Sequence, residues 1–338
     1  METYMIPSLP RVAVIGTGGT ISSWAQSSLD SIDYPDFGRK LPVAEILDRF
    51  EETRLVADPL PISFRSVGST SIGPADWIEL RDILHATSAR EKDLAGFAIL
   101  HGTATLEETA FFLNLTLAIP QTVVLVGAQR PVSALGTDAG INLVNALRVA
   151  GSSAARNLGV LVVLNDEIHA ARDVVKTSTY RQQTFRSLDF GALGHVDGDG
   201  IHIYRKPARE HAPNGAFASM TNFDLPRVDI VMSYAGADGV LIDAAVAAGA
   251  RGIVSAGLAP GLTTPGERKA LERAASSGIV VVQCSRAVSG RVGRRRYLSE
   301  AGMIAGEDLS PQKARILLSL ALARGCGPDE IADIFARC

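Results

Sequence analysis

At 338 residues the chain exceeds what one ordinary hydrophobic core organises. Its 46% hydrophobic residues and 32 glycines suit two compact α/β domains with many strand-to-helix turns. A net charge of −3, with charged residues at 20%, excludes the global basic field that nucleic acid or an anionic membrane surface attracts. No apolar run reaches the roughly 18 residues of a membrane-crossing helix. The start, Met1 to Pro7, has an early acid and no apolar signal core, so a cytoplasmic protein is expected.

The apolar run Val12-Ala13-Val14-Ile15 reads as a short buried strand, followed at once by Gly16-Thr17-Gly18-Gly19-Thr20. Phe97-Ala98-Ile99-Leu100 repeats the pattern and leads into His101-Gly102-Thr103-Ala104-Thr105. Two such strand ends in a parallel sheet present two threonines to one crevice, which is where open α/β sheets bind ligands. Thr105-Leu106-Glu107-Glu108 reads as a capping box opening a helix over 107–118, with Thr103 just before its N-terminus. Further buried strands are expected at Thr122 to Val126, Val160 to Leu164, Gly252 to Ser255 and Ile279 to Val282. Near-continuous apolar strands separated by helices argue a parallel sheet covered on both faces.

Between Tyr204 and Arg227 the strand–helix rhythm fails at Lys206-Pro207, Ala212-Pro213-Asn214-Gly215 and Pro226. The expected organisation is therefore a larger N-terminal α/β domain over 1–207, a linker over 208–227 and a smaller C-terminal α/β domain over 228–338. The last part holds a helix start at Ser310-Pro311.

Gly16-Thr17-Gly18-Gly19-Thr20-Ile21 is not a dinucleotide fingerprint, because Ile21 stands where the third glycine is needed. No phosphate-cradling G-x-x-x-x-G-K motif occurs. The histidines, His85, His101, His169, His195, His202 and His211, lack metal-ligand spacing, and so do Cys284, Cys326 and Cys338. No metal or cofactor is expected. A threonine hydroxyl becomes a nucleophile when a neighbour takes its proton, and the candidate neighbours are Tyr34, His101 and Lys176. The glycines beside Thr20 let a substrate carbonyl approach backbone N–H groups.

Five ordered segments carry a resemblance. They are Gly18-Gly19-Thr20-Ile21, His101-Gly102-Thr103-x-Thr105-Leu106-Glu107-Glu108-Thr109-Ala110, Val126-Gly127-Ala128-Gln129-Arg130-Pro131, Asn165-Asp166 with Arg172-Asp173-Val174-Val175-Lys176-Thr177, and Pro311-Gln312-Lys313-Ala314-Arg315. Together the chain resembles the bacterial-type L-asparaginase/glutaminase family over nearly its whole length. The resemblance implies Thr20 as nucleophile, Tyr34 as its activating tyrosine on a mobile lid, and Thr103 with Lys176 as the second threonine and its lysine. Ser69 falls on the serine that holds the substrate's α-carboxylate; Gly19, Thr70 and Gly102 complete that side of the substrate site. The resemblance also implies intimate dimers assembled into a homotetramer, each active site completed by a partner's C-terminal domain.

Three departures bear on the substrate. Ala104 stands where the family has an aspartate. The family's asparagine-bearing loop is here Gly257-Leu258-Ala259-Pro260-Gly261-Leu262, without asparagine. Its partner-supplied acid falls in 290–298, which holds Arg291, Arg294, Arg295 and Arg296 and no acid. The expected activity is therefore hydrolysis of an amide, lactam or imide lacking a free α-amino group. Ala104, Pro260 and Leu262 would form an apolar wall, with Arg294 or Arg295 near an acidic group. The alternatives are an L-asparaginase with a substituted position 104 and a non-catalytic binder of small amides.

Overall fold

The structure, a computed structural model, describes residues 8–338, so the chain start Met1 to Pro7 lies outside the described residues. Two units divide between Asn214 and Gly215, within the stretch where the strand–helix rhythm fails.

The first unit is built on an eight-stranded sheet. Its strands are β1 (Arg11–Gly18), β2 (Asp58–Val67), β3 (Leu94–Leu100), β4 (Thr122–Val126), β5 (Val160–Leu164), β6 (Glu167–Ala170), β7 (Gly194–Asp197) and β8 (Gly200–Ile203). The spatial order is β8-β7-β6-β5-β4-β3-β1-β2. The strands from β2 to β5 run parallel. β6, β7 and β8 join antiparallel, so the sheet is mixed and not wholly parallel. Val12, Val14, Ala98, Leu100, Val124 and Val126 pack into one cluster with Leu143 and Leu147 of the helix Ala139–Gly151. Ala13, Ile15, Phe97, Ile99, Val123 and Leu125, of opposite pleat, are equally buried. Covering both faces is what makes these strands read as unbroken apolar runs.

β2 has no such run: its sequence is Asp-Pro-Leu-Pro-Ile-Ser-Phe-Arg-Ser-Val. It forms the sheet edge and pairs only with β1, with Pro59 beside Val12 and Pro61 beside Val14. An edge strand tolerates prolines because their missing N–H groups face away from the ladder. From β1 the chain goes to β2 on one side and to β3 on the other. The order β2-β1-β3-β4-β5 thus has its topological switch between β1 and β3, where a crevice opens at the carboxyl ends.

The helix after β3 spans Leu106–Thr116, slightly shorter than expected. Thr105 is its N-cap by position, but its side chain makes no capping bond. The hydroxyl instead donates to the Ser69 carbonyl at 2.9 Å, so the expected capping box is not formed.

The second unit carries a parallel four-stranded sheet of β9 (Val228–Met232), β10 (Gly252–Gly257), β11 (Val280–Ser285) and β12 (Ile304–Ala305), in that order. The helix Pro311–Ala323 starts at Ser310, whose hydroxyl accepts from the Lys313 N–H as the sequence suggested. The three cysteines are free and buried. Among the described residues no helix is long and apolar enough to cross a membrane.

Candidate active site

The turns after β1 and β3 touch backbone to backbone. Gly19 has φ 80°, and a Cβ there would fall 2.2 Å from the Gly102 Cα. A Cβ on Gly102 would in turn lie 2.8 Å from the Ser69 hydroxyl. Only glycines allow this approach, which brings Thr20, Ser69 and Thr103 around one point at the switch. The Thr17 hydroxyl ties the strand ends together through the Leu100 carbonyl at 2.9 Å. The Gly19 N–H is held by the Val67 carbonyl at 2.9 Å, so Gly19 fixes the turn and does not present a free donor to a substrate oxygen.

Two hydroxyl pairs face this crevice. Thr20 Oγ1 lies 2.8 Å from the Tyr34 hydroxyl. Tyr34 opens the short helix Tyr34–Phe37, between the paired strands Ser23–Trp24 and Arg39–Lys40. Burial is the main influence on the phenol and raises its pKa above the ordinary tyrosine value, although the bond to Thr20 opposes the rise. Lys176 Nζ donates to Thr103 Oγ1 at 2.7 Å. Burial lowers the lysine's pKa, partly countered by the Glu107 carboxylate. Both shifts have one cause: a site poor in water disfavours charge.

His101, the third candidate activator, is fully buried. Its Nδ1 lies 2.8 Å from the Gly102 carbonyl and its Nε2 3.0 Å from the Thr109 hydroxyl. Both ring nitrogens are thus engaged in supporting the turn, and neither is bonded to Thr20 or Thr103. Burial depresses its pKa to about 4, so the ring is neutral.

The sequence pattern described as "Asparaginase, N-terminal" matches residues 11–209, and "Glutaminase/Asparaginase C-terminal domain" matches 227–335. The chain belongs to the asparaginase family. It is accordingly an amidohydrolase, acting on C–N bonds other than peptide bonds. It is 38% identical over 328 residues to "L-asparaginase 2" of Bacillus subtilis, covering 97% of this chain and 86% of that one. It is 36% identical over 329 residues to "Probable L-asparaginase periplasmic" of Haemophilus influenzae, covering 97% and 93%. The crystal structure titled "Probable Cytoplasmic L-asparaginase" from Campylobacter jejuni superposes with a TM-score of 0.92 at 35% identity, covering 97% of this chain and all of that one.

In this family member the remaining site residues fall as follows. Ser69 is buried, and its Oγ accepts the Ala104 N–H at 3.3 Å. Thr70 and Ala104 are exposed, and Ala104 has only a methyl where the resemblance leads one to expect an aspartate. Pro260 and Leu262 lie exposed beyond β10 in the C-terminal unit. Arg294 is held within that unit by the buried Glu307 at 3.3 Å, and Arg291 pairs with the same carboxylate. Arg294 and exposed Arg295 border a hollow of about 450 Å³ with Met303, Asp329 and Asp333, a hollow that shares no residue with the two hydroxyl pairs.

Three contributors carried no role in the sequence reading. The buried Glu107 carboxylate accepts the Lys176 backbone N–H. Gln129 Oε1 lies 3.2 Å from Thr103 Oγ1 and 3.4 Å from Lys176 Nζ. Asp138 accepts the N–H groups of Gln129 and Arg130 at 2.9 and 3.0 Å, fixing the loop after β4. Gln129 stands inside the family-like segment Val126-Gly127-Ala128-Gln129-Arg130-Pro131, which was the available signal. Among the described residues, Asp197, Asp199 and His202 come close enough to share a cation, on the β7–β8 hairpin at the opposite sheet edge from β1 and β2.

Proposed function

We propose that the chain hydrolyses a carboxamide, lactam or imide without a free α-amino group, with Thr20 as nucleophile. Thr20 Oγ1 bonds to the carbonyl carbon, the C–N bond breaks, and the leaving nitrogen takes up the hydroxyl proton. Water then cleaves the threonine ester; its oxygen bonds to the acyl carbon and a proton returns to Thr20. Tyr34, kept as a phenol, passes the Thr20 proton along. Lys176, in its neutral form, takes the Thr103 proton so that the Thr103 oxygen can activate the water.

The observation that carries the substrate class is Ala104. Its N–H is engaged by Ser69, and it follows Thr103 directly in the chain with a methyl as its only side chain. With no asparagine in 257–262 and no acid in 290–298, no group of that family set would pair an α-ammonium. An unpaired ammonium in such a pocket costs several kcal/mol, and about 1.4 kcal/mol is tenfold in specificity. The relatives' names favour a second reading, hydrolysis of L-asparagine itself. We also propose a cytoplasmic homotetramer of intimate dimers, with Pro260, Leu262 and Arg294 or Arg295 approaching a partner's crevice.

A hydrolysis screen separates these readings. It compares asparagine, succinamate (asparagine with hydrogen for the ammonium), N-acetylasparagine, a lactam and succinimide. One of the ammonium-free compounds should exceed asparagine in kcat/KM by tenfold or more. Thr20→Val should then lower turnover about 10³-fold with folding intact. Asparagine as the fastest substrate overturns the substrate class. Ligand-dependent stabilisation without product would make the chain a binding module.

A further inference from the structure

Thr103 and Lys176 share a third partner besides each other. Gln129 Oε1 stands 3.2 Å from the hydroxyl and 3.4 Å from the ammonium, while 2.7 Å separates those two. The Gln129 amide is not free to turn. Its Nε2 donates to the Arg181 carbonyl at 3.1 Å, which aims the oxygen at the pair. Its backbone N–H is held by Asp138, and Asp138 Oδ2 also accepts from Asn142 at 3.1 Å. Asn142 in turn holds the Gly127 carbonyl at 3.0 Å and the Asn165 N–H at 3.0 Å. The loop from Gly127 to Arg130 is thus fixed from both sides.

We propose that Gln129 is a positioning residue: its side-chain oxygen is the neutral acceptor that keeps Thr103 and Lys176 aligned in both protonation states. With the lysine charged, Nζ donates to Thr103, and the Thr103 hydroxyl donates to Gln129. With the lysine neutral, Thr103 donates to Nζ, and a remaining Nζ hydrogen turns to Gln129. One oxygen therefore serves whichever partner has a proton to turn toward it, and the Thr103 hydroxyl finds an acceptor in both states. A carboxylate would do the same geometrically but would hold the lysine charged. Since position 104 supplies none, the carboxylate acting on Lys176 is Glu107, on the helix Leu106–Thr116. Lys176 lies in the short antiparallel pair of Val175–Lys176 with Phe185–Arg186; from the loop between them Arg181 contributes a carbonyl to Gln129, and Asp138 engages the Gln129 backbone.

This assignment rests on the proposed role of Lys176, so the experiment reads the two separately. Lys176 is titrated directly by NMR of ¹³C-labelled lysine in the wild type, Gln129→Glu and Gln129→Met, with Lys176→Met identifying the resonance. Turnover of the best substrate of the screen is followed against pH in the same proteins. A lysine acting as base makes kcat/KM rise with pH as it loses its proton; Gln129→Glu should raise the lysine's midpoint by about one pH unit and carry that rise upward with it. Gln129→Met should lower kcat at least tenfold, leave KM within twofold, and keep the melting temperature. An unmoved lysine midpoint in Gln129→Glu, or a Gln129→Met enzyme with wild-type kcat, overturns the assignment of Gln129. An alkaline rise that persists in Lys176→Met overturns the role of Lys176 instead.

Discussion

Burial acts on three titratable residues of this crevice, and in each it favours the uncharged form. The Tyr34 phenol is shifted up and Lys176 down, so an alkaline rise in activity belongs to the lysine and not to the tyrosine. His101 shows the same physics as a stability effect. Its folded pKa of about 4 lies below the unfolded value near 6.5. As pH falls through 6.5 the unfolded chain takes up a proton that the folded chain refuses. The stabilisation is complete above about 6.5 and lost on the way to pH 4, a difference of about 2 kcal/mol between pH 7 and pH 5. Urea unfolding at those two pH values should show His101→Gln less stable at pH 7 but losing about 2 kcal/mol less than wild type on acidification. Equal losses would place the acid sensitivity elsewhere. At this scale Thr20, Thr103 and Lys176 stood in the ordered segments and Tyr34 outside them, each offering a group whose chemistry shows in its residue type. Gln129 also stood in a segment, but an amide in a loop acquires a role only when a distant carbonyl, here Arg181, fixes its orientation.

The element that makes the crevice is the pair of glycine turns. Gly19 combines φ 80° with a Cβ position 2.2 Å from backbone, so Gly19→Ala forces the β1 and β3 turns apart. Gly102 has no positive φ, and the contact its Cβ would make at 2.8 Å is with the Ser69 side chain, although Gly19 Cα lies at 3.0 Å. Gly19→Ala should therefore destabilise more than Gly102→Ala, by several kcal/mol in total, and abolish turnover in whatever protein still folds. Denaturant midpoints of the two variants check this; the reverse ranking would mean that the turns can slide apart at little cost. Strands buried on both faces announced themselves in the sequence, and Thr122–Val126 and Val160–Leu164 have the expected bounds. β2 did not, since its two prolines argue against a strand unless the strand is known to be an edge. The antiparallel β6, β7 and β8 are only four residues each, too short for a period to stand out. Thr105 shows a second limit: a capping motif names a position correctly, yet the hydroxyl turns to donate to the Ser69 carbonyl and accepts no N–H of the first turn.

Taken as a whole molecule, the chain leaves apolar surface uncovered where a partner would be needed. On β9, an edge strand, Met232 is 61% exposed, and Tyr234, Val240 and Leu241 just beyond it are 54%, 64% and 56% exposed. In the first unit Leu29, Ile32 and Phe37, around Tyr34, are 78%, 69% and 68% exposed. Large apolar groups clustered on an edge strand mark an association surface more often than a solvated one. The proposed tetramer predicts a particle of four 35.7 kDa chains by light scattering at micromolar concentration. If a partner's C-terminal unit completes each crevice, dilution should lower specific activity in step with mass. The double substitution Met232→Asp with Val240→Asp should weaken assembly and lower kcat/KM at least tenfold, while unfolding of the separated chain stays cooperative. A 35.7 kDa species retaining full specific activity would show that each crevice works alone, and the substrate wall assigned to Pro260 and Leu262 would then have to be sought elsewhere.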